Sequence, residues 1–375
     1  MEIIALVILL FIALGLQGAL FRNYFFHRLD YSCTFSAHEA HEGDEIYFIE
    51  EVHNKKLLPL PWLKADIHSS RWLDFAGAHS VITQESRHVT STFFLKSFQK
   101  TTRRWKLKCL KRGVFETENV TLTGGDLLGN NVMSIPVNVG ASLVVYPQTL
   151  NLEELLVPVN YLQGETIVKR WILEDPFVVS GAREYRSGDP MNRIHWSATA
   201  REGGLMVRKN DFTSETNLTI LLNIQSREFE PDSVVDRDRI ELGIKVAATL
   251  LDRALKMSLP VRLGTNGCTL DENSKMVFTG EASGRAHVGE LLKILAKLKL
   301  RNIRDFEDFL DEHKGKISNS DVAIITSYTS EGILGYARGF NRSGNRVKLI
   351  VLNPHIEVGD LPHDLETYIL KQDGE

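Results

Sequence analysis

The densest concentration of reactive side chains in this chain is GAREYRSGDPMNRIHWSATAREGGLMVRKND, Gly181 to Asp211. It sets Arg183, Arg186, Arg193, Arg201, Arg208 and Lys209 against Glu184, Asp189, Glu202 and Asp211, a slight positive excess. Two readings of these arginines stand side by side. In one, they pair with the acidic residues as a structural clasp and Trp196 plugs a seam between domains. In the other, they form an anion or peptide pocket, because guanidinium groups make bidentate contacts with carboxylates and phosphates. The binding surface predicted from the second reading comprises Arg183, Arg186, Asp189, Arg193, His195, Trp196 and Arg201. Ser187-Gly188-Asp189-Pro190 is a turn signal, and Arg193 to Arg201 can form a short helix ended by Gly203-Gly204.

His195, Asp189 and Ser197 also supply the residue types of a Ser-His-Asp triad. A triad is a matter of geometry, which neighbours on one short segment rarely satisfy. The chain holds no GxSxG elbow, no HExxH, no GxxxxGK[ST] and no GxGxxG. Cys33, Cys109 and Cys268 fall in strand-like or hairpin surroundings that suit buried thiols, with no CxxC pair for zinc or a disulfide framework. His38-Glu39-Ala40-His41-Glu42 is the one cluster of metal-capable ligands, and its setting reads as a solvated turn. The sequence therefore predicts no catalytic residues, no cofactor and no metal. An envelope hydrolase centred on His195 and Asp189 is the rival function, and a structural envelope scaffold using an apolar patch around Leu57 to Trp62 is a third.

These residues are carried by 375 amino acids, 43% hydrophobic and 25% charged, which is ordinary globular usage and enough for two or three domains. With 44 Lys plus Arg against 48 Asp plus Glu, the net charge of -4 lacks the basic footprint of a nucleic-acid binder. Ile3 to Phe21 is uncharged and reaches about 28 Å as a helix, enough to span a bilayer. Without a basic n-region or an A-x-A site it reads as an anchor rather than a cleaved signal. Arg22, His27 and Arg28 follow it, so the positive-inside bias places the body of the protein in the cytoplasm.

From Asp30 to about Pro147 come short alternating runs bounded by turn signals, the signature of an all-β sandwich. In RRWKLK, Arg104, Lys106 and Lys108 alternate with Trp105 and Leu107 as on a half-exposed strand. After Asn217 the period changes. LTILLNI is a buried strand, and Ile240, Ile244, Ala247, Leu251 and Leu255 mark one face of a helix. Further helices are predicted through Val288, Leu291, Leu292, Leu295 and Leu298, through Phe306, Phe309 and Leu310, and over 333–340, with DVAIITS and VKLIVLN as strands. Such alternation predicts an α/β domain with a mostly parallel sheet. The predicted organisation is an anchor and flank over 1–29, the sandwich over 30–150, a connector with the charged block over 151–212, the α/β domain over 213–355 and a C-terminal tail over 356–375.

RxYxxGD, IHWxxTAR and LMVRK in the charged block resemble the signature of the domain of unknown function 58 family. NKKLLPLPW (Asn54 to Trp62), KRGVF and DLLG (Asp126 to Gly129) resemble its upstream pieces. The resemblance implies a bacterial membrane protein whose α/β part is like a von Willebrand factor A domain. It also implies association with a MoxR-type AAA+ ATPase and with transglutaminase-like membrane proteins. Members often carry two hydrophobic segments where this chain offers one. A metal-binding von Willebrand A domain presents DxSxS after its first strand. The matching place reads Asn223-Ile224-Gln225-Ser226-Arg227, which has lost the carboxylate and both serines of that pattern. The resemblance thus implies a metal-free crevice lined by Asn223, Gln225, Ser226 and Thr326 to Tyr328. The function it implies is that of a non-enzymatic, single-pass membrane adaptor.

Overall fold

A computed structural model describes residues 2–84, 86–129, 131–159, 182–185, 196–208, 217–230, 234–353, 355–356, 359 and 361–371. They fall into two compact units, residues 1–148 and 149–375.

The first unit begins with α1, Glu2–Tyr24. Its apolar side chains are exposed up to its last turn, where Phe21 and Phe25 turn into the interior of the sandwich. Ten strands follow: β1 Leu29–Phe35, β2 Glu39–His41, β3 Glu45–Asn54, β4 Leu60–Ser70, β5 Leu73–Phe75, β6 His79–Ile82, β7 Ser86–Leu95, β8 Lys100–Cys109, β9 Gly113–Gly125 and β10 Val132–Tyr146. They form one sheet in the order β1-β3-β8-β5 and another in the order β2-β10-β9-β4-β7-β6. Phe48, Phe75 and Leu107 from the first sheet share a single core with Leu63, Ile67, Phe93, Leu122 and Leu143 from the second. Each such side chain contributes about 1.5–3 kcal/mol on burial. β8 keeps Arg104, Lys106 and Lys108 outside and Leu107 inside, as its alternation predicts. The His38–Glu42 segment is not all turn. Ala40 is 5% exposed and draws Glu39–His41 into β2, parallel to β10.

A carboxylate is tied into this core. Glu50 is fully buried on β3 and accepts hydrogen bonds from Tyr31 Oη (2.8 Å), Ser91 Oγ (2.5 Å) and Trp105 Nε1 (2.5 Å). The donors stand on β1, β7 and β8, so the carboxylate ties the two sheets together.

The second unit is built on a seven-stranded sheet. Its strands are β11 Leu156–Pro158, β14 Asn217–Leu222, β15 Val261–Thr265, β17 Val277–Phe278, β19 Ser320–Thr326, β20 Arg346–Val351 and β21 Glu366–Leu370. The order is β11-β21-β20-β19-β14-β15-β17. The four pairings among β15, β14, β19, β20 and β21 are parallel, and β17 and β11 are antiparallel edges. Smaller pieces are β12 Ala182–Glu184 with β13 Met206–Arg208, and β16 Gly267–Thr269 with β18 Leu298–Asn302. The helices are α2 Leu152–Leu155, α3 Trp196–Glu202, α4 Arg237–Lys256, α5 Arg285–Lys297, α6 Phe306–His313 and α7 Glu331–Arg342.

The buried strands face two cores at once. Ile220, Leu222, Ala323 and Ile325 pack with α4 and α5, while Leu221, Val322 and Ile324 pack with α6 and α7. That is why these strands read as continuous apolar runs rather than alternating ones. Two expectations shift. Leu298 ends the helical pattern of α5 by turning extended and opening β18. The sheet also runs past residue 355, because Thr367, Tyr368 and Ile369 are buried and place β21 between β20 and β11.

Candidate functional site

The chain leaves β14, moves outward to β15, then returns to β19 on the other side of β14. This reversal opens a crevice at the carboxyl ends of β14 and β19, the place where open α/β sheets bind ligands. The residues after those strands are the predicted Asn223, Gln225 and Ser226, and Thr326 to Tyr328. All but Tyr328 are buried.

They close on one another. Asn223 Nδ2 donates to Thr326 Oγ1 (3.1 Å), and Asn223 Oδ1 accepts from the Gln225 backbone N–H (2.9 Å). Gln225 Nε2 donates to Asp305 Oδ1 (2.9 Å), while its Oε1 accepts from Asn266 Nδ2 (3.1 Å) and from the Phe306 backbone N–H (2.8 Å). Phe306 opens α6, and its N–H is one of the donors a helix N-terminus leaves without an internal partner. Asp305 stands at the N-cap position but makes no side-chain cap bond. Gln225 therefore caps α6 from a distant strand end. Asn266 Oδ1, in turn, accepts from the Ile224 N–H (2.9 Å).

A second knot closes the loop leading to α4. The buried carboxylate of Glu230 accepts from Ser226 N (2.6 Å), Ser226 Oγ (2.7 Å) and Val235 N (2.5 Å), and Ser226 Oγ accepts from Asp236 N (3.1 Å). On the β19 side, Thr326 Oγ1 donates to the Tyr328 carbonyl (2.8 Å). Ser330 caps α7 through Ile333 N (3.2 Å) and donates to Glu307 (2.5 Å). Burial pushes the Tyr328 phenol up to about 12, against a hydrogen bond with Asn223 and with help from Glu307, Asp305 and Glu228. Ser327 Oγ is the one hydroxyl here that is buried without a hydrogen-bond partner. Arg227, Phe229 and Val235 are exposed beside the crevice, with Phe229 82% exposed.

The residues present do not fit a hard cation. Where the metal-binding pattern offers a carboxylate and two hydroxyls, this chain offers an amide engaged with Thr326, an amide capping α6 and an outward arginine. Among the described residues no three His, Cys, Asp or Glu gather as a metal site. Glu230, Asn266 and Asp305, which complete the network, were not singled out from sequence. The one local signal was Asp305, an acidic residue directly before an amphipathic helix.

The charged block is described in part. Arg183 lies in β12, whose Ala182 and Glu184 pair with Arg208 and Met206. Thr199 Oγ1 accepts from the Met206 N–H (2.9 Å) and ties α3 to β13, and Gly203, at φ +72°, ends the helix as predicted. Arg201 is exposed, and Trp196 is 68% exposed. Arg186, Asp189, Arg193 and His195, with the side chains of Arg183 and Ser197, lie outside the described residues. The three cysteines are buried and free. Burial raises the Cys33 thiol to about 12, with Glu50 adding to it, and the Cys109 thiol to about 11, with Asp44 adding. Neither forms the thiolate a nucleophile needs.

Fold and site define the second unit as an open α/β sheet with its strand-end crevice closed by side-chain amides. The family model described as "Protein of unknown function DUF58" matches residues 181–363, from the charged block to beyond β20. No curated protein matches the chain. Among solved structures, a non-cellulosomal cohesin from Archaeoglobus fulgidus is 12% identical, with 33% of this chain and 94% of that one covered and a TM-score of 0.22. The CARDB domain of a Pyrococcus furiosus protein is 13% identical, covering 30% and 96%, with a TM-score of 0.18. The sporulation control protein Spo0M from Bacillus subtilis is 12% identical, covering 30% and 49%, also at 0.18. Likenesses this weak carry no argument.

Proposed function

We propose that this protein is a membrane-anchored, non-enzymatic adaptor whose α/β unit, like a von Willebrand factor A domain without its metal, offers a protein-binding crest. The observation that carries this reading is the amide network at the strand ends. Asn223 and Gln225, where the likeness would put metal ligands, spend their polar groups on Thr326, Asp305, Asn266 and Phe306. No activated nucleophile, free carboxylate pair or cation shell remains among the described residues there, while Phe229 and Val235 stand exposed beside it. The strand order, with the short antiparallel β17 at one edge of a parallel sheet, supports the likeness.

α1 is long and apolar enough to cross a membrane, and supports an anchor. Arg22 and Arg28 after it favour a cytoplasmic body in a bacterial cell. The partner that the family resemblance favours is a MoxR-type AAA+ ATPase, with a transglutaminase-like membrane protein as a further member of the assembly. Anchoring confines the encounter to the membrane surface, where weak contacts suffice.

The test is crosslinking and recovery from native membranes. The intact chain is compared with Arg193→Ala/Trp196→Ala and with Phe229→Asp/Val235→Asp, with thermal unfolding followed in parallel. Recovery of an AAA+ ATPase with the intact chain, and its loss in a variant that still folds, is the expected result. Absence of any ATPase from the intact sample overturns the partnership.

A further inference from the structure

Four segments close one end of the sandwich: 25–28 between α1 and β1, 55–59 between β3 and β4, 96–99 between β7 and β8, and 126–129 with Asn131 between β9 and β10. Strand register puts them together. Leu29 pairs with Asn54, His53 with Lys100, Leu60 with Leu95, Leu63 with Gly124, and Val132 with Gly125. The tips of three of these loops are large and apolar yet open to solvent: Leu57 is 76% exposed, Phe98 63%, Leu127 67% and Leu128 56%. Clustered exposure of this kind marks a surface that something covers.

The loops are braced, so their tips are held outward. Phe98 N donates to the Lys56 carbonyl (3.2 Å), Ser97 Oγ donates to the Leu57 carbonyl, and Asn54 Nδ2 donates to the carbonyls of Leu58 and Lys96 (both 3.0 Å). Trp62 Nε1 donates to the Asp126 carbonyl (3.3 Å), and Asn131 Nδ2 donates to Asp126 Oδ2 (2.9 Å). The β9–β10 tip also lies along α1. Asp126, Leu128 and Asn131 share an open cleft of about 830 Å³ with Phe11, Leu14 and Arg22. A Cβ on Gly18 would come within 2.8 Å of Asn131 Nδ2, so the tip and the helix are closely apposed. Phe11 precedes Arg22 by eleven residues, about 16 Å along a helix. Leu128 therefore stands beside the apolar stretch of α1, not beyond it. Arg22, Arg28 and Lys96 are exposed at this end, while Lys56 Nζ is buried, Lys55 pairs with Asp30, and Asp126, the one acid within the four segments, is buried.

We infer that this end of the sandwich is a bilayer-seating surface, with Leu57, Phe98, Leu127 and Leu128 inserted at the interface of the membrane that holds α1 and the surrounding Arg and Lys side chains on anionic headgroups. The inference rests on α1 being a membrane span. The sandwich then stands directly on the lipid rather than on a tether, fixed by one helix and three loops. Apolar tips beside basic residues are the composition that partitions into an anionic interface.

The full chain is reconstituted in vesicles of phosphatidylcholine and phosphatidylglycerol after introducing single cysteines, Leu128→Cys, Leu14→Cys or Val81→Cys. Each is coupled to an environment-sensitive fluorophore, and the native cysteines, being buried, stay unlabelled. Val81 is an exposed apolar residue on edge strand β6 and serves as the control. Nitroxide-bearing lipids are expected to quench the label at 128 at least twofold more than the label at 81, approaching the quenching at 14. Quenching at 14 but not at 128 overturns the seating surface and leaves the anchor intact. No quenching at 14 removes the anchor and the surface with it. Disulfide crosslinking between copies through unlabelled Leu128→Cys, without quenching, assigns the patch to self-association and also overturns the proposal. Omitting phosphatidylglycerol is expected to lower quenching at 128; unchanged quenching removes the headgroup contacts.

Discussion

The sandwich and the α/β unit both bury a polar network, in different places and with different chemistry. In the sandwich a carboxylate, Glu50, sits in the middle of the apolar interior and draws donors from three other strands across both sheets. In the α/β unit both faces of the sheet pack largely apolar cores, and the network described above gathers at the strand ends, where neutral amides satisfy one another and cap α6. A central knot can only specify which strands pair and in what register. A knot at the switch point occupies the position where a ligand would otherwise be held. The same hydrogen-bond economy serves fold specification in one unit and closure of a site in the other.

The largest effect is expected at Glu50. Glu50→Ala leaves Tyr31, Ser91 and Trp105 without their acceptor and should destabilise the sandwich by about 3–5 kcal/mol. Denaturant unfolding followed separately for each unit should show the α/β transition unmoved. A loss below about 1 kcal/mol would mean that interior water replaces the carboxylate. Gln225→Ala comes next, at about 2–3 kcal/mol in the α/β unit, because it uncaps α6 and strands Asn266 and Asp305. Millimolar magnesium should leave the melting temperature of the unaltered chain where it is, and a magnesium-dependent rise would break the contrast between the two knots.

Two smaller effects depend on pH. Lys56 Nζ is buried without an acceptor, and burial lowers its pKa to about 8 from 10.5. Between those values the unfolded chain binds more protons, so this group's contribution rises with pH through the window and is lost as pH falls through about 8. Lys56→Met should remove that slope and raise stability near neutrality by about 1–2 kcal/mol, read as the difference between the two pH–stability curves. His313 lies between Phe278 (4.1 Å) and Phe309 (4.8 Å), and burial lowers its pKa below 6.5, with Lys316 adding to the shift and Glu312 opposing it. Its contribution is present above pH 6.5 and is lost on acidification, a change of under about 1 kcal/mol that His313→Phe should abolish.

Much of this was legible in the sequence where a period was strong. Ile240, Ile244, Ala247 and Leu251 named the buried face of α4, whereas Glu50, buried between Phe48 and Val52 on β3, was not singled out. The crevice residues Asn223, Gln225 and Thr326 were named in advance and do meet. Their partners were not, because Glu230, Asn266 and Asp305 arrive from loops whose approach depends on the strand order, which no local pattern encodes. β21 escaped for a related reason. ETYIL is five residues long, below the length at which a pattern stands out, and is a strand through its pairing with β20 on one side and β11 on the other.

Gln225 joins the end of β14 to the first turn of α6, so the crevice floor cannot shift without uncapping that helix. A surface fixed in this way is preorganised. A protein landing on it would find its conformational entropy already lost during folding, would induce little backbone movement, and would owe its affinity to the fit of the exposed rim at Phe229 and Val235 rather than to any ordering of the floor beneath.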